Sequence, residues 1–402
     1  MLQATDTAAD LFPQILDPVN RSNPYPLYLQ LQQTPVALLA DGFFAVSTYA
    51  AVAALLHDPR MSKDQRKTEI PLTGAQRIEP RPFLFLDPPE HDRLRRLVVR
   101  QFTPARINAI HDRIVALVDE LLDAQRDRRQ LDIVDDFAYP LPVTIICELL
   151  GVPREDESRF HSWADALAHS IDPDPGQKTD QAAMFAGMEL RDYMQKLVAE
   201  RRAHPRDDLL SGLAVGEDPA GHMDDANLVV TMILLLIAGH ETTVNLITNG
   251  TLTLLRNPDE LAKLRDNPDR VTRVVEEVLR FEPPVQFITR FALANIEIGG
   301  VTIPRGSGIR LMLAAGNRDP ERFVDPDRFD PDRPDNEHLG FSGGIHYCVG
   351  APLARIEGQV ALAVLARRLV NPRLVEDPPP YRPNAVLRGP SHLPVDFDQL
   401  RG

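Results

Sequence analysis

The stretch from Leu228 to Gly239, Leu-Val-Val-Thr-Met-Ile-Leu-Leu-Leu-Ile-Ala-Gly, is apolar on every side. A helix without a polar face must be covered all round, so this segment predicts a long helix through the protein interior. Asp224-Asp225 supplies its N-terminal cap, and the pattern continues to about Leu255. The apolar run falls short of the roughly 20 residues that span a bilayer. In its middle stands Ala238-Gly-His-Glu241-Thr242-Thr243. A glycine there costs about 1 kcal/mol against alanine, and an unpaired buried carboxylate costs more. The bland explanation is a bend, with threonine hydroxyls bonding back to the carbonyl four residues earlier, as Thr243 can do. The functional one is a helix opened locally to hold a small ligand over a metal, with Glu241 and Thr242 relaying protons.

A second stretch carries chemistry. Phe341-Ser-Gly-Gly-Ile-His-Tyr-Cys348-Val-Gly350 precedes Ala351-Pro352 and an apolar helix running to about Val370. Pro352 suits the first helical turn. A thiol approaching a helix N-terminus feels the positive end of the macrodipole, which favours thiolate by roughly 0.3–1 kcal/mol. Taken alone, Cys348 would read as a small buried hydrophobe. The pattern F-x-x-G-x-H-x-C-x-G, in a chain with two cysteines, points instead to a loop presenting a thiolate to a metal. Cys147, in Val143-Thr-Ile-Ile-Cys-Glu-Leu-Leu150, reads as core.

The loop closely resembles the haem-ligand loop of the cytochrome P450 family, and A-G-x-E-T-T resembles that family's oxygen-activating helix. One departure is Ser342, where many members have glycine. The resemblance extends in order from Asn23-Pro-Tyr-Pro26 to Leu393-Pro-Val395. It implies a mainly α fold with a small β-rich lobe, a prism of helices around a buried haem. It implies haem b with Cys348 as the axial iron ligand, in a setting that includes Phe341, Gly350, Ala238 and Gly239. His91, Arg95, Arg290 and His346 are then expected to bind the propionates, since carboxylates at the edge of an apolar cavity need cationic partners. Glu241 and Thr242 would manage proton delivery during dioxygen activation. Glu277 and Arg280, three apart on one helical face, would form a structural triad with Arg328.

The implied activity is monooxygenation: one atom of dioxygen enters a hydrophobic small organic substrate and the other becomes water. The resemblance is strongest to the soluble bacterial branch, which takes electrons from a ferredoxin. Two alternatives stay open at this point: haem-thiolate chemistry of another kind, such as a peroxygenase or an oxidative coupling catalyst, and a non-enzymatic haem sensor. The intact Glu241–Thr242 pair favours dioxygen use. Candidate pocket linings are the 62–89 loop, residues 160–185 with Phe160 and Trp163, Leu235–Thr243, Val285–Ile288 and Asn384–Leu387.

Along the chain, a sheet-bearing lobe is expected from about 27–60 and 285–315 plus 380–397, with a closing hairpin over Leu387–Val395. Helices are expected over about 88–280 and 350–370, broken at 172–180, all within one domain of 402 residues. With 43% hydrophobic and 25% charged residues, the chain has the composition of a soluble globular protein. Its net charge of −14 argues against nucleic acid and anionic membrane as partners. No basic n-region followed by an apolar stretch opens the chain, so a cytoplasmic protein is expected, and a monomer is expected as well. The run Arg93, Arg95, Arg96, Arg100 and Arg106 is a basic face on an acidic protein, suited to propionates or an acidic partner.

Overall fold

In the computed structural model, which describes residues 8–71, 79–168, 181–216 and 222–402, the central helix runs Asp225–Arg256. Asp224 caps it, accepting a hydrogen bond from the Asn227 amide at 2.9 Å. At 32 residues it is about 48 Å long. It has the length and apolarity to cross a membrane, yet 67% of its most apolar window is buried inside the protein. Helices Pro140–Leu150, Glu157–Ala168, Gln181–Ala203, Val271–Phe281 and Ala351–Arg368 pack around it. That jacket is what an all-apolar helix requires: Leu228, Met232, Leu236, Val244 and Ile247 are fully covered. Phe160 and Trp163 belong to the same core, stacked edge to face at 5.0 Å. The helix break expected at 172–180 lies outside the described residues, as does 72–78 of the 62–89 loop.

The β-rich lobe is a five-stranded sheet in the order Val36–Leu38, Phe44–Val46, Gly308–Leu311, Ile288–Ala292, Met61–Ser62. Phe44–Val46 and Gly308–Leu311 run parallel, and the other pairs are antiparallel. The register sets Arg290 opposite Ile309 and Ser62 opposite Phe291.

The C-terminal segment differs from expectation. Leu387–Val395 does not close on itself, because its partners come from elsewhere in the chain. Leu387 bridges Val285, Pro390 bridges Tyr381, and Pro394–Asp396 lies between Arg373–Leu374 and Gln130–Asp132 in a separate three-stranded sheet. Leu393, Val395 and Phe397 bury themselves against the helices, not the lobe.

Candidate functional site

The Cys348 loop is held in place from below. Arg280 and Glu277, both fully buried, form a two-pronged pair with hydrogen bonds of 2.8 and 2.7 Å. Arg280 also donates to the Asn317 carbonyl at 3.0 Å, and the Asn317 side chain accepts from the Leu339 amide at 2.7 Å. The Ser342 amide donates back to the Leu339 carbonyl, and the Cys348 amide to the Phe341 carbonyl at 3.1 Å. A series of hydrogen bonds thus connects the buried ion pair to the backbone of Cys348.

The third member expected of that group needs correction. The Arg328 side chain is 69% exposed and reaches only toward Asp330. Arg328 contributes its carbonyl, which accepts from Arg280 at 3.1 Å. The arginine beside Glu277 is Arg333, nearly buried, with Nε 3.6 Å from Oε1.

Gly344 has φ of +63°, and a Cβ there would lie 2.2 Å from the Leu56 carbonyl oxygen, so only glycine fits where the loop crosses the end of the Tyr49–His57 helix. Ser342 also has positive φ, +61°, which explains why glycine is common there and makes the serine a strained choice. Arg355, one turn into the helix Ala351–Arg368, grips Glu276 with bonds of 2.7 and 2.9 Å, donates to the Tyr347 hydroxyl and covers the Phe341 ring at 4.6 Å.

The two cysteines separate cleanly. Cys147 is buried inside its helix, and burial pushes its thiol up out of reach of ionisation. Cys348 is open to solvent on one side. The protein packed around its sulfur raises its pKa, while the Gly350 and Ala351 amides, Arg95 and Arg355 act in the opposite direction. The helix start therefore helps the thiolate without making it the resting form. Ligation to a metal ion would complete the deprotonation.

Five basic side chains converge nearby. His91 is buried, with Nδ1 held by Asp92 at 2.8 Å and Nε2 lacking any partner. Its ring lies 4.4 Å from that of His346, both of whose nitrogens are buried and unpartnered. Burial, reinforced by Arg290, His91, Lys63 and Arg95, pushes His346 down to about 2. Burial likewise brings Arg290 down to about 10. Arg95 donates to the Tyr347 carbonyl at 2.5 Å. Among the described residues, no carboxylate reaches ion-pair distance of Arg95, Arg290 or Lys63.

On the central helix, Ala238 is exposed and Ile237 and Gly239 beside it are part-exposed, as are Leu234 and Thr242 on the same face. This face of the helix is therefore not covered by packed side chains. The helix is not opened there: it stays α-helical, with Thr242 Oγ1 donating to the Ala238 carbonyl at 2.8 Å and Thr243 Oγ1 to the Gly239 carbonyl at 3.1 Å. Glu241 is buried and paired with Arg382, a partner from the C-terminal segment. His240 lies edge-on to Tyr139 at 4.5 Å, on the core side.

The family model for cytochrome P450 matches residues 35–397. This chain belongs to the cytochrome P450 family. Vitamin D(3) 25-hydroxylase of Pseudonocardia autotrophica is 41% identical over 386 residues, covering 93% of each chain. The 6-deoxyerythronolide B hydroxylase of Saccharopolyspora erythraea is 39% identical over 93% of this chain and 96% of its own. The ligand-free crystal structure of Mycobacterium smegmatis CYP164A2 superposes with a TM-score of 0.90 at 43% identity, covering 96% of this chain and 99% of that one.

This P450 is a haem-thiolate monooxygenase that places one atom of dioxygen in a hydrophobic organic substrate, with electrons from a redox partner. The residues fit the family's haem. A buried cluster of cations and orphaned imidazole nitrogens beside an open thiol is electrostatically incomplete by itself, and a ligand with two carboxylates completes it. Cys348 would supply the thiolate ligand, and His91, Arg95, Arg290 and His346 would hold the carboxylates. When bound, haem supplies dioxygen activation, and thiolate donation favours O–O cleavage. Lys63, Arg333, Arg355 and Arg382 escape sequence reasoning because each finds its partner far along the chain.

Proposed function

We propose that this P450 oxidises a medium-sized hydrophobic molecule by hydroxylation or epoxidation, as a cytoplasmic monomer reduced by a ferredoxin. The observation that carries the site assignment is the convergence of Arg95 and Arg290, neither at ion-pair distance of a described carboxylate, with the unpartnered His91 Nε2 and His346 nitrogens beside the open thiol of Cys348. In this reading the Ala238–Thr242 face forms the opposite wall, and Thr242 and Glu241 handle protons. The Thr242 hydroxyl spends its one proton on the Ala238 carbonyl, so its lone pairs remain as acceptors. Glu241 is the nearest acid in sequence, held in reserve by Arg382.

Two relatives support the substrate class by their names, one a 25-hydroxylase of vitamin D3 and the other a hydroxylase of 6-deoxyerythronolide B. The ferredoxin reading draws on part of the basic face. Arg93 is taken by Glu90 at 2.7 Å, and Arg106 turns to Gln101 and the Asp208 carbonyl. Arg96 and Arg100 are exposed at the C-terminal end of the helix Glu90–Val99, whose Arg95 reaches the Tyr347 carbonyl, and Val99, Ile345 and Tyr347 are exposed as well. Mixed cations and apolar groups suit an acidic partner protein. The deciding experiment is the reduced carbon-monoxide spectrum. Wild type is expected to show the thiolate-type band and Cys348→Ala to lose it; a band retained in the variant would defeat the assignment.

A further inference from the structure

The strand Met61–Ser62 pairs antiparallel with Ile288–Ala292, Met61 opposite Ala292 and Ser62 opposite Phe291. Continued by one residue, that register sets Lys63 opposite Arg290. Like charges directly opposite on neighbouring strands repel, and a sheet has no reason of its own to put them there. Here they come closer than register alone demands. Lys63 Nζ donates to the Thr289 carbonyl at 3.1 Å, and Arg290 donates to the same oxygen, also at 3.1 Å. Two cations thus share one neutral acceptor.

Asp87 offsets Arg290 only through space, and no carboxylate forms an ion pair with either cation among the described residues. Asp87 is the nearest, but its Oδ2 is bound by Lys67 at 2.7 Å and by the Ser62 hydroxyl at 2.5 Å. Its Oδ1 accepts only the Lys63 backbone amide, at 3.0 Å. Asp64 is held by Arg66 at 2.6 Å, and Asp92 by His91. The Lys63 ammonium is pushed down to about 7 by burial first and by Arg290 second, with no acid pulling it up. Phe85 covers its other side at 5.6 Å.

We infer that Lys63 is a further cationic ligand of the haem propionates, joining Arg290 on the strand side while His91, Arg95 and His346 approach from the helix and loop. The assignment rests on the haem-thiolate reading and extends it to a residue outside the family loop patterns. An ammonium that shares an oxygen with a guanidinium needs an anion to neutralise the pair, and a propionate carboxylate between Lys63 and Arg290 does so with charge-assisted hydrogen bonds. Lys63 then acts as a positioning residue for the cofactor and takes no part in the oxidation.

The test compares wild type, Lys63→Met and Lys63→Arg as holoenzymes, following haem transfer to excess scavenger globin at low ionic strength. Lys63→Met is expected to lose haem about tenfold faster, the effect of one charged hydrogen bond, while Lys63→Arg stays within a few-fold of wild type. Reconstitution with haem dimethyl ester, which lacks the carboxylates, should make wild type and Lys63→Met equal. Resonance Raman spectra should show the propionate bending modes shifted in Lys63→Met and the iron–sulfur stretch unmoved. Equal loss rates with natural haem, or a difference that persists with the diester, would overturn the assignment. A wild type without the thiolate-type carbon-monoxide band would overturn the haem-thiolate reading and Lys63 with it. A normal band with equal loss rates would remove Lys63 alone.

Discussion

Glu277 accepts from Arg280 on both oxygens and has Arg333 Nε 3.6 Å from Oε1, all three side chains lying deep beneath the cysteine loop. The Asp330 amide and the Asn336 side chain complete the carboxylate's shell at 2.9 and 3.2 Å. Removing one member of so buried a pair strands a charge, at a cost of about 3–5 kcal/mol. Glu277→Gln and Arg280→Ala are therefore expected to lose most of the folded holoenzyme, and Arg333→Ala to be clearly destabilised. Arg328→Ala, which leaves its carbonyl in place, should fall within about 0.5 kcal/mol of wild type. Thermal unfolding of the four variants checks the ranking, and an Arg328→Ala as unstable as Arg333→Ala would contradict it.

The tripeptide Pro-Asp-Arg occurs at both 326–328 and 331–333. Nothing local distinguishes the two arginines, and the choice is made by which one the meander folds against Glu277. The central helix and the Cys348 loop were legible because their signals are local: an all-apolar run demands burial, and a glycine-flanked cysteine before Pro352 marks a loop meeting a helix. Lys63 and Arg382 were not, because their meaning depends on a strand register and a tail path that no local pattern encodes. The tail reading failed for the same reason. Residues 387–395 carry strand-like composition but take their partners from 285, 381, 130–132 and 373–374.

Ser342 is the chain's one departure from the loop pattern, and it occupies a left-handed conformation that a side chain disfavours. Its hydroxyl finds no partner in the interior. Ser342→Gly should stabilise the holoenzyme by about 0.5–1 kcal/mol, the relief of a left-handed residue less glycine's extra unfolded-state entropy. Ser342→Val should do the reverse. Chemical denaturation followed at the haem band measures both, and a destabilised glycine variant would show that the hydroxyl has a role the hydrogen bonds do not reveal.

Glu357, fully buried in the helix Ala351–Arg368, touches Thr243, and one of its oxygens has no partner. Burial pushes its carboxyl up to about 8, with Thr243 only partly offsetting this. The Thr243 hydroxyl, which also reaches the Gly239 carbonyl, favours the charged form, but burial outweighs it and Glu357 keeps its proton in the folded chain. Between the ordinary carboxyl value near 4.3 and about 8, the folded chain keeps a proton that the unfolded chain has released. Stability should then fall as pH rises through that window, by at most about 1.4 kcal/mol per unit from this group, and level off above it. Glu357→Gln should flatten the slope and gain most at pH 8. A pH series of unfolding free energies showing parallel slopes would refute the protonated assignment.

Arg96 and Arg100 are exposed at the C-terminal end of the helix Glu90–Val99, from which Arg95 reaches the Tyr347 carbonyl. If an acidic ferredoxin docks there, Arg96→Glu with Arg100→Glu should slow its reduction of the haem by roughly tenfold or more at low salt and weaken the salt dependence, since steering charges act mainly on association. Substrate affinity should not move. Stopped-flow reduction across ionic strengths separates the two, and unchanged rates with an unchanged salt slope would send the docking site elsewhere.

Thr242 and Glu241 sit one residue apart but meet different surroundings. The threonine is part-exposed on the uncovered face of the helix and the acid is buried against Arg382. A side chain that hands its proton to the Ala238 carbonyl at 2.8 Å offers that face only lone pairs, so it can order a water or accept a proton without being itself an acid. Thr242→Val, nearly the same shape, should leave substrate binding intact while dioxygen consumption continues with little product. The loss in product formation should tend toward roughly the 10²-fold that one proton-transfer group contributes at its lower end. Thr242→Ser should retain most activity. Glu241→Gln keeps the volume but removes the charge that holds Arg382, so it should slow turnover and displace its pH profile. Arg382→Gln, which frees the acid instead, should displace that profile without abolishing turnover. Coupling measurements, product against dioxygen consumed, decide between a proton-handling pair and a merely structural one: if the valine variant stays fully coupled, the helix contributes only its shape.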